Sequence, residues 1–535
     1  MKIIVCDPIS TTGIALLKQR PEFNVVVLEK TATEDELCAM VGDATALLVR
    51  SETKVTKKVI EAAKQLKVVG RAGVGVDNVK VEDATQHGVV VMNTPLGNMV
   101  TTAELAFALM MALARKVPQA AAGLAGGKWL RKELAKDGIE LQGKTLGVIG
   151  LGRIGSEVAK RAIAFGMKVV AYDPFLSEER AKAIGATLAD LDEVYRVADF
   201  ITLHNLVTDE TRGMLNAAAF AKMKPNVRIV NCARGEIINE NDLIAALESK
   251  KVAGAALDVF AKEPLPADHP YIAQAAKGNL ILTPHLGAST KEAQEKCGIE
   301  VAEIVIAYLL TGEVRNAVNL PYLDAKTSEQ VKPYLPLGEA LGKLLAQLST
   351  GADKLHITYG GNAKNLTNID PVTRAIIRGF LSTSNLKDVN NVNVRSVAQS
   401  IGITVEEKKS DEPVTFNEWV HVQAFKGAEK LISAGGTFFG SPNNPRIVRL
   451  FSQSVEIPVT GTLLLLNNAD KPGIVGHLGT LLGKHKVNIA SMSLGRDTVG
   501  GKALTVLSLD SVPPTALLEE LKKDADISNV KVVTL

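Results

Sequence analysis

The chain has 535 residues, 46% of them hydrophobic, and its 61 basic and 58 acidic residues leave a formal net charge of only +3. That length is too great for one ordinary core and predicts three or four domains at ~150 residues each. The near-balance of charge argues against nucleic acid or a membrane surface as a partner. Cys6, Cys38, Cys232 and Cys297 lie far apart with no metal-ligand spacing, so they read as reduced thiols of a cytoplasmic protein with no structural metal.

The first residues, MKIIVCDP, begin a strand at once, and no targeting leader is expected. The most apolar predicted helix, residues 103–114, contains Glu104 and is too short to span a bilayer core of ~30 Å. Up to about residue 95, short apolar runs at 3–6, 25–28, 46–49, 68–70 and 89–92 alternate with helical stretches such as 12–19 and 57–64. Such alternation predicts a parallel sheet covered by helices. Ligands of open α/β sheets bind beyond the carboxyl ends of strands, which selects the loops RSETKV (50–55) and GRAGVGVDNV (70–79). After NTPLGN (93–98) one long helix is predicted from Thr101 to about Pro118.

The stretch TLGVIGLGRIGSEVAKRAIAFGMKVVAYD (145–173) reads as a buried strand, a glycine turn, a helix and a second strand. Gly150 permits the tight turn, Gly152 lets the backbone approach a pyrophosphate, and Gly155 lets the helix pack on the strand. Arg153 and Ile154 open that helix, whose N-terminus attracts phosphate. Asp173 stands close to the ~20 residues downstream at which an acid takes a ribose 2′-hydroxyl. Its charge would repel a 2′-phosphate, so NAD is expected rather than NADP. Strands are predicted again at 200–203, 227–231, 252–258 and 280–283, making six for a doubly wound sheet. The helix at 291–310 is expected to return the chain to the first domain, so that the nucleotide unit is an insertion.

From about residue 320 the texture changes to an α+β pattern, with helices at 337–348, 371–381 and 392–400 and strands at 355–359, 420–425 and 429–433. The tail from Gly461 reads βαββαβ, the ferredoxin-like order.

Hydride transfer from a hydroxy acid needs a base for the hydroxyl proton and a cation for the carboxylate. Three loops at successive strand ends offer them: NCARG (231–235), ALDVFAKEP (256–264) and PHLGAST (284–290). Arg234 could hold the carboxylate through a bidentate fork, His285 could exchange the proton near neutral pH, and Glu263 could fix the tautomer of His285.

Through GLGRIG, YDP, NCARG, ALDVFAKEP and PHLGAST the chain resembles the D-2-hydroxyacid dehydrogenases. The resemblance implies an α/β fold with two doubly wound parallel sheets. One is a flavodoxin-like substrate domain (1–97 and 288–318), and inserted in it is a Rossmann NAD domain (98–287). An α+β intervening domain (319–458) and a ferredoxin-like ACT domain (459–535) follow. It implies Arg234, Glu263 and His285 as the catalytic triad, NAD as cofactor, and Cys232 and Asp258 as further cofactor contacts. The RAGVGVDNV loop and the appended domains imply 3-phospho-D-glycerate as substrate. Its site would draw on Arg50, Ser51, Arg71, Gly73, Val74, Arg131 and Lys132, with Arg131 reaching a neighbouring subunit of a homo-oligomer, expected to be a tetramer. Val74 stands where some relatives carry threonine, which implies one fewer cofactor hydrogen bond. In the ACT-like tail, NNADKPG (467–473) and VNI (487–489) imply an L-serine site built from Asn468, Asp470 and Asn488 across a domain dimer. Two other readings use the same residues: a reductase of glyoxylate, hydroxypyruvate or another 2-oxo acid, and an NAD-sensing regulatory protein.

Overall fold

A computed structural model describes residues 1–321, 325–384, 386, 389–496 and 498–535. Five strands, β1 (Lys2–Val5), β2 (Asn24–Val27), β3 (Ala44–Val49), β4 (Val68–Arg71) and β5 (Val90–Asn93), pair in parallel in the order β2-β1-β3-β4-β5, the flavodoxin-like arrangement. Strands of a sheet covered on both faces read as continuous apolar runs, and β3 is buried along its whole length. One face packs against the helix Lys291–Thr311, whose Cys297, Val301 and Val305 share a core with Ile3, Val5 and Leu48. A Cβ on Gly13 would overlap the Gly298 carbonyl, so this glycine lets the helix Thr11–Lys18 touch the returning one. The chain then runs along the edge of β5, where the Val318 amide donates to the Val91 carbonyl (2.7 Å) and Asn319 bonds Val89 and Val91.

The second sheet joins β6 (Thr145–Ile149), β7 (Lys168–Tyr172), β8 (Thr187–Leu188), β9 (Phe200–Leu203), β10 (Val227–Asn231), β11 (Val252–Leu257) and β12 (Leu280–Leu282). Its order is β12-β11-β10-β9-β6-β7-β8, which places the topological switch point between β6 and β9, beside the glycine turn. The six expected strands become seven because β8 is two residues long, too short for an apolar pattern to register. The single helix expected over 101–118 is also divided. It runs from Met99 to Arg115, Lys116 turns left-handed at φ 53°, and a second helix covers Val117–Ala125 with Pro118 in its first turn. Pro118 lacks the amide proton that a continuous helix would need there.

A third sheet, ordered β14-β13-β15-β16-β17-β18, consists of β13 (Lys354–Gly361), β14 (Thr404–Ser410), β15 (Glu418–Lys426), β16 (Glu429–Phe438), β17 (Pro445–Leu450) and β18 (Gln453–Pro458). Helices Tyr334–Leu348 and Asp370–Leu381 cover one face. Only three of these strands are expected from the sequence. Edge strand β14 carries Glu406, Glu407, Lys408 and Lys409 in succession, which masks its alternation. The last sheet is antiparallel, β20-β21-β19-β22, with β19 (Thr462–Ala469), β20 (Ile489–Arg496), β21 (Lys502–Leu509) and β22 (Ile527–Thr534). Helices Ile474–Lys484 and Thr515–Lys523 complete the ferredoxin-like order. Among the described residues no helix is long and apolar enough to cross a membrane.

Candidate active site and effector loop

Two clusters of loops at the carboxyl ends of the first two sheets face each other. On the nucleotide side, Gly150 takes φ 90°, and a Cβ on Gly155 would overlap the Gly150 carbonyl oxygen, so helix Arg153–Ala164 starts hard against the end of β6. A Cβ on Gly152 would meet nothing, which leaves open space at the helix N-terminus for a phosphate. The Asp173 carboxylate, at the end of β7, accepts from the amides of Leu151 (2.9 Å) and Phe175 (3.0 Å). It is thus fixed beside the turn, with room left for a hydroxyl donor. This arrangement fits a dinucleotide whose ribose lacks a 2′-phosphate.

Behind the turn lies His204, which the sequence did not single out. Its ring bonds Thr202 Oγ1 (2.8 Å), and burial lowers the imidazole from 6.5 to about 4. A histidine with a depressed folded pKa contributes stability that is complete above the unfolded value and is lost as pH falls toward the folded one. Stability should therefore decline between pH 6.5 and about 4. His204→Gln is expected to flatten that part of a chemical-denaturation profile; an unchanged profile would show that the ring does not govern it.

The three loops singled out for chemistry converge. His285, at φ 52°, places Nδ1 2.7 Å from Glu263 Oε2, and Glu263 Oε1 accepts from the Phe260 amide (3.0 Å). Burial pushes the Glu263 carboxyl up, but the bonds from His285 and Phe260 and the charges of His285 and Arg234 outweigh it and hold it below its usual value. With Nδ1–H donating to Glu263, Nε2 carries the free lone pair. A Cβ on Gly235 would overlap the Phe260 backbone, so the Arg234 and Glu263 loops touch directly.

Asp258 lies beneath the His285 loop. Its carboxylate is buried and accepts from Thr283 Oγ1 (2.6 Å) and from the amides of Leu286 (2.8 Å) and Gly287 (2.9 Å). It braces that loop as a strut. Cys232 is likewise buried, packed in the core with Val230 and Ile281, and burial pushes its thiol up.

Across the cleft, Arg50 bonds the Pro8 carbonyl (3.2 Å), and Ser51 is exposed beside it. The Arg71 guanidinium lies against Gly73, where a Cβ would overlap it. Burial, and after it the charge of Arg234, brings Arg71 down to about 10, and its buried Nε has no hydrogen-bond partner among the described residues. A guanidinium nitrogen buried without a partner is costly unless an acceptor joins it, which fits a phosphate oxygen. Val74 and Gly73 are held from behind, by Asn93 Nδ2 on the Val74 carbonyl (2.6 Å) and the Thr94 amide on the Gly73 carbonyl (3.0 Å). Arg131 and Lys132 begin the short helix Arg131–Ala135 and are exposed, and among the described residues neither makes a hydrogen bond or ion pair to this cleft.

The three effector candidates lie apart within one chain. Asn468 is only 2% exposed, accepts from Thr505 Oγ1 (2.7 Å) and donates to the Ala469 carbonyl (3.0 Å). On β19 it shares a face with Leu464 and Leu466, which point into the core beneath the helices. Asp470 accepts from the Gly500 amide (2.9 Å) and Arg496 Nη1 (3.1 Å). Asn488 is exposed and bonds Asp510 (2.6 Å). Ala469 pairs with Lys502 and Ile489 with Leu509, at opposite ends of β21. Asp470 and Asn488 are therefore separated by the length of the sheet.

Comparison with known proteins matches residues 107–287 to the NAD-binding domain of D-isomer specific 2-hydroxyacid dehydrogenases. Residues 330–451 match the D-3-phosphoglycerate dehydrogenase intervening domain, and residues 462–526 the ACT domain. The chain is 45% identical to D-3-phosphoglycerate dehydrogenase of Synechocystis sp. over 100% of its own length and 95% of the relative's. It is 42% identical to the enzyme of that name from Archaeoglobus fulgidus, over 100% of both chains. The crystal structure of NAD+-bound 3-phosphoglycerate dehydrogenase from Entamoeba histolytica superposes with a TM-score of 0.51 at 30% identity, covering 60% of this chain and 99% of that one.

Proposed function

The chain belongs to the D-3-phosphoglycerate dehydrogenases, and on that premise we propose how its residues oxidise 3-phospho-D-glycerate to 3-phosphooxypyruvate, the first step of phosphorylated L-serine biosynthesis. His285 Nε2 takes the C2 hydroxyl proton while Glu263 stabilises the imidazolium that results. NAD, when bound, supplies the acceptor for the C2 hydride. Arg234 orients the C1 carboxylate, with the Gly73 and Val74 backbone beside it. Arg50 and Arg71 hold the phosphate, completed by Arg131 and Lys132 of a second subunit. Gly150, Gly152, Arg153, Ile154, Gly155 and Asp173 hold the dinucleotide. Cys232 and Asp258 support the cofactor wall from within.

The single observation that carries this reading is the 2.7 Å His285–Glu263 contact, beside Arg234 and across from Arg71, whose buried Nε has no hydrogen-bond partner among the described residues. A reductase of glyoxylate or hydroxypyruvate would have no second anionic group to pair with that cation. The returning helix supports a substrate domain made of 1–97 and 288–318, with 98–287, 319–458 and 459–535 as the other units.

Feedback by L-serine and a homo-oligomer, read as a tetramer, belong to the same proposal. A site using Asp470 and Asn488 needs two copies of the tail, because one copy holds them at opposite ends of its sheet. The helix Val117–Ala125 has no buried residue and is followed by the exposed Trp129, which fits a covered interface. The test is steady-state turnover of 3-phosphoglycerate with NAD, with and without L-serine. Activity that falls with added serine, and is no longer inhibited in Asn488→Ala, is expected. A well-folded sample without turnover would sink the enzyme reading, and turnover indifferent to saturating serine would sink the feedback.

A further inference from the structure

Arg234 is gripped from both walls of the cleft. Its Nη1 donates to the Ala233 carbonyl (2.7 Å) on its own loop, and its Nη2 lies 2.9 Å from Asp77 Oδ2 on the opposite domain. A guanidinium has five N–H donors, so these two contacts leave Nε–H and one proton on each Nη, enough for a bidentate carboxylate. Gly75 passes directly under the group. A Cβ there would overlap Arg234 Nη2 and lie 2.8 Å from Asp77 Oδ2. Asp77 also supplies the negative charge felt by Arg71, against the repulsion of Arg234 and Arg50.

We propose that Asp77 is a positioning residue for the reaction. It aims the Arg234 fork across the cleft and leaves the free edge to the substrate carboxylate. Because Asp77 and Arg234 stand on opposite walls of the cleft, that aim depends on the distance between the walls seen here, so carboxylate recognition is tied to how the two walls meet. The Asp77 side chain is 76% exposed and Arg234 26%, so the pair adds little to stability. Its effect lies in orientation, where small displacements are costly.

The inference rests on Arg234 as the carboxylate partner, and the experiment separates the two. Asp77→Ala is expected to raise KM for 3-phosphoglycerate about fivefold, with kcat within about twofold and NAD affinity and Tm unchanged. Gly75→Ala, which displaces the guanidinium without removing a charge, should give the same KM change, and Asp77→Glu should recover part of it. Asp77→Ala added to Arg234→Lys should cost nothing further. An unchanged KM, additive losses, or a KM that falls because Asp77 competes with the substrate would each overturn the proposal. Arg234→Ala with an unaltered KM would instead overturn the carboxylate assignment.

Discussion

Turnover of 3-phosphoglycerate in His285→Ala is expected to fall by about 10²- to 10⁴-fold, the contribution of one positioned general base, while NAD affinity stays as in the parent. The reason is geometric. Nδ1 is committed to Glu263 at 2.7 Å, so the ring has one tautomer and one free nitrogen, and the loop that carries it is braced from below by Asp258. Removing the ring deletes the proton acceptor but leaves Asp258, Glu263 and the glycine turn in place. Glu263→Gln should be milder, because an amide oxygen can still accept from Nδ1–H but cannot match the carboxylate's stabilisation of the imidazolium. Stopped-flow turnover together with a nucleotide titration checks both parts. Near-parental kcat in His285→Ala would remove His285 as the base, whatever the state of Arg234.

Gly155→Ala is expected to abolish measurable NAD binding and to destabilise the nucleotide domain by about 1–3 kcal/mol. The added Cβ would overlap the Gly150 carbonyl oxygen, and both partners are backbone, so no side chain can move aside. Relief requires helix Arg153–Ala164 to slide from the end of β6. That movement carries the amides at the helix N-terminus away from the phosphate position and shifts Leu151, whose amide fixes Asp173. Gly152→Ala makes the contrast: its Cβ meets no protein atom, so stability should hold while the approach of the pyrophosphate is hindered. Thermal unfolding and NAD titration of the two variants distinguish packing from ligand clearance. Unimpaired NAD binding in Gly155→Ala would contradict the tight helix–strand contact.

The nucleotide half of the site is legible in sequence because its parts are local. The turn, the helix start and Asp173 fall within one βαβ unit, where spacing along the chain is nearly spacing in space. Arg234, Glu263 and His285 are legible more weakly. Each stands at the end of a predicted strand, and parallel strands of one sheet end on one side. Asn468 is legible only in part: residue type and a motif select it, while the burial that strand alternation gives it beside Leu464 and Leu466 shows only once its register on the strand is fixed.

By itself the sequence determined the strand and helix alternation, the glycine turn with its acid, and the presence of an acid/base pair and an arginine-rich loop. These depend on short-range sterics, periodicity and residue chemistry. Tertiary structure alone decided that Asp258 braces the His285 loop, that Asp77 meets Arg234 across the cleft, that Arg71 Nε is buried without a hydrogen-bond partner among the described residues, and that Asp470 and Asn488 are held apart. Each depends on pairing between residues distant in the chain, which residue pattern does not encode and only the packing of sheets and helices brings about.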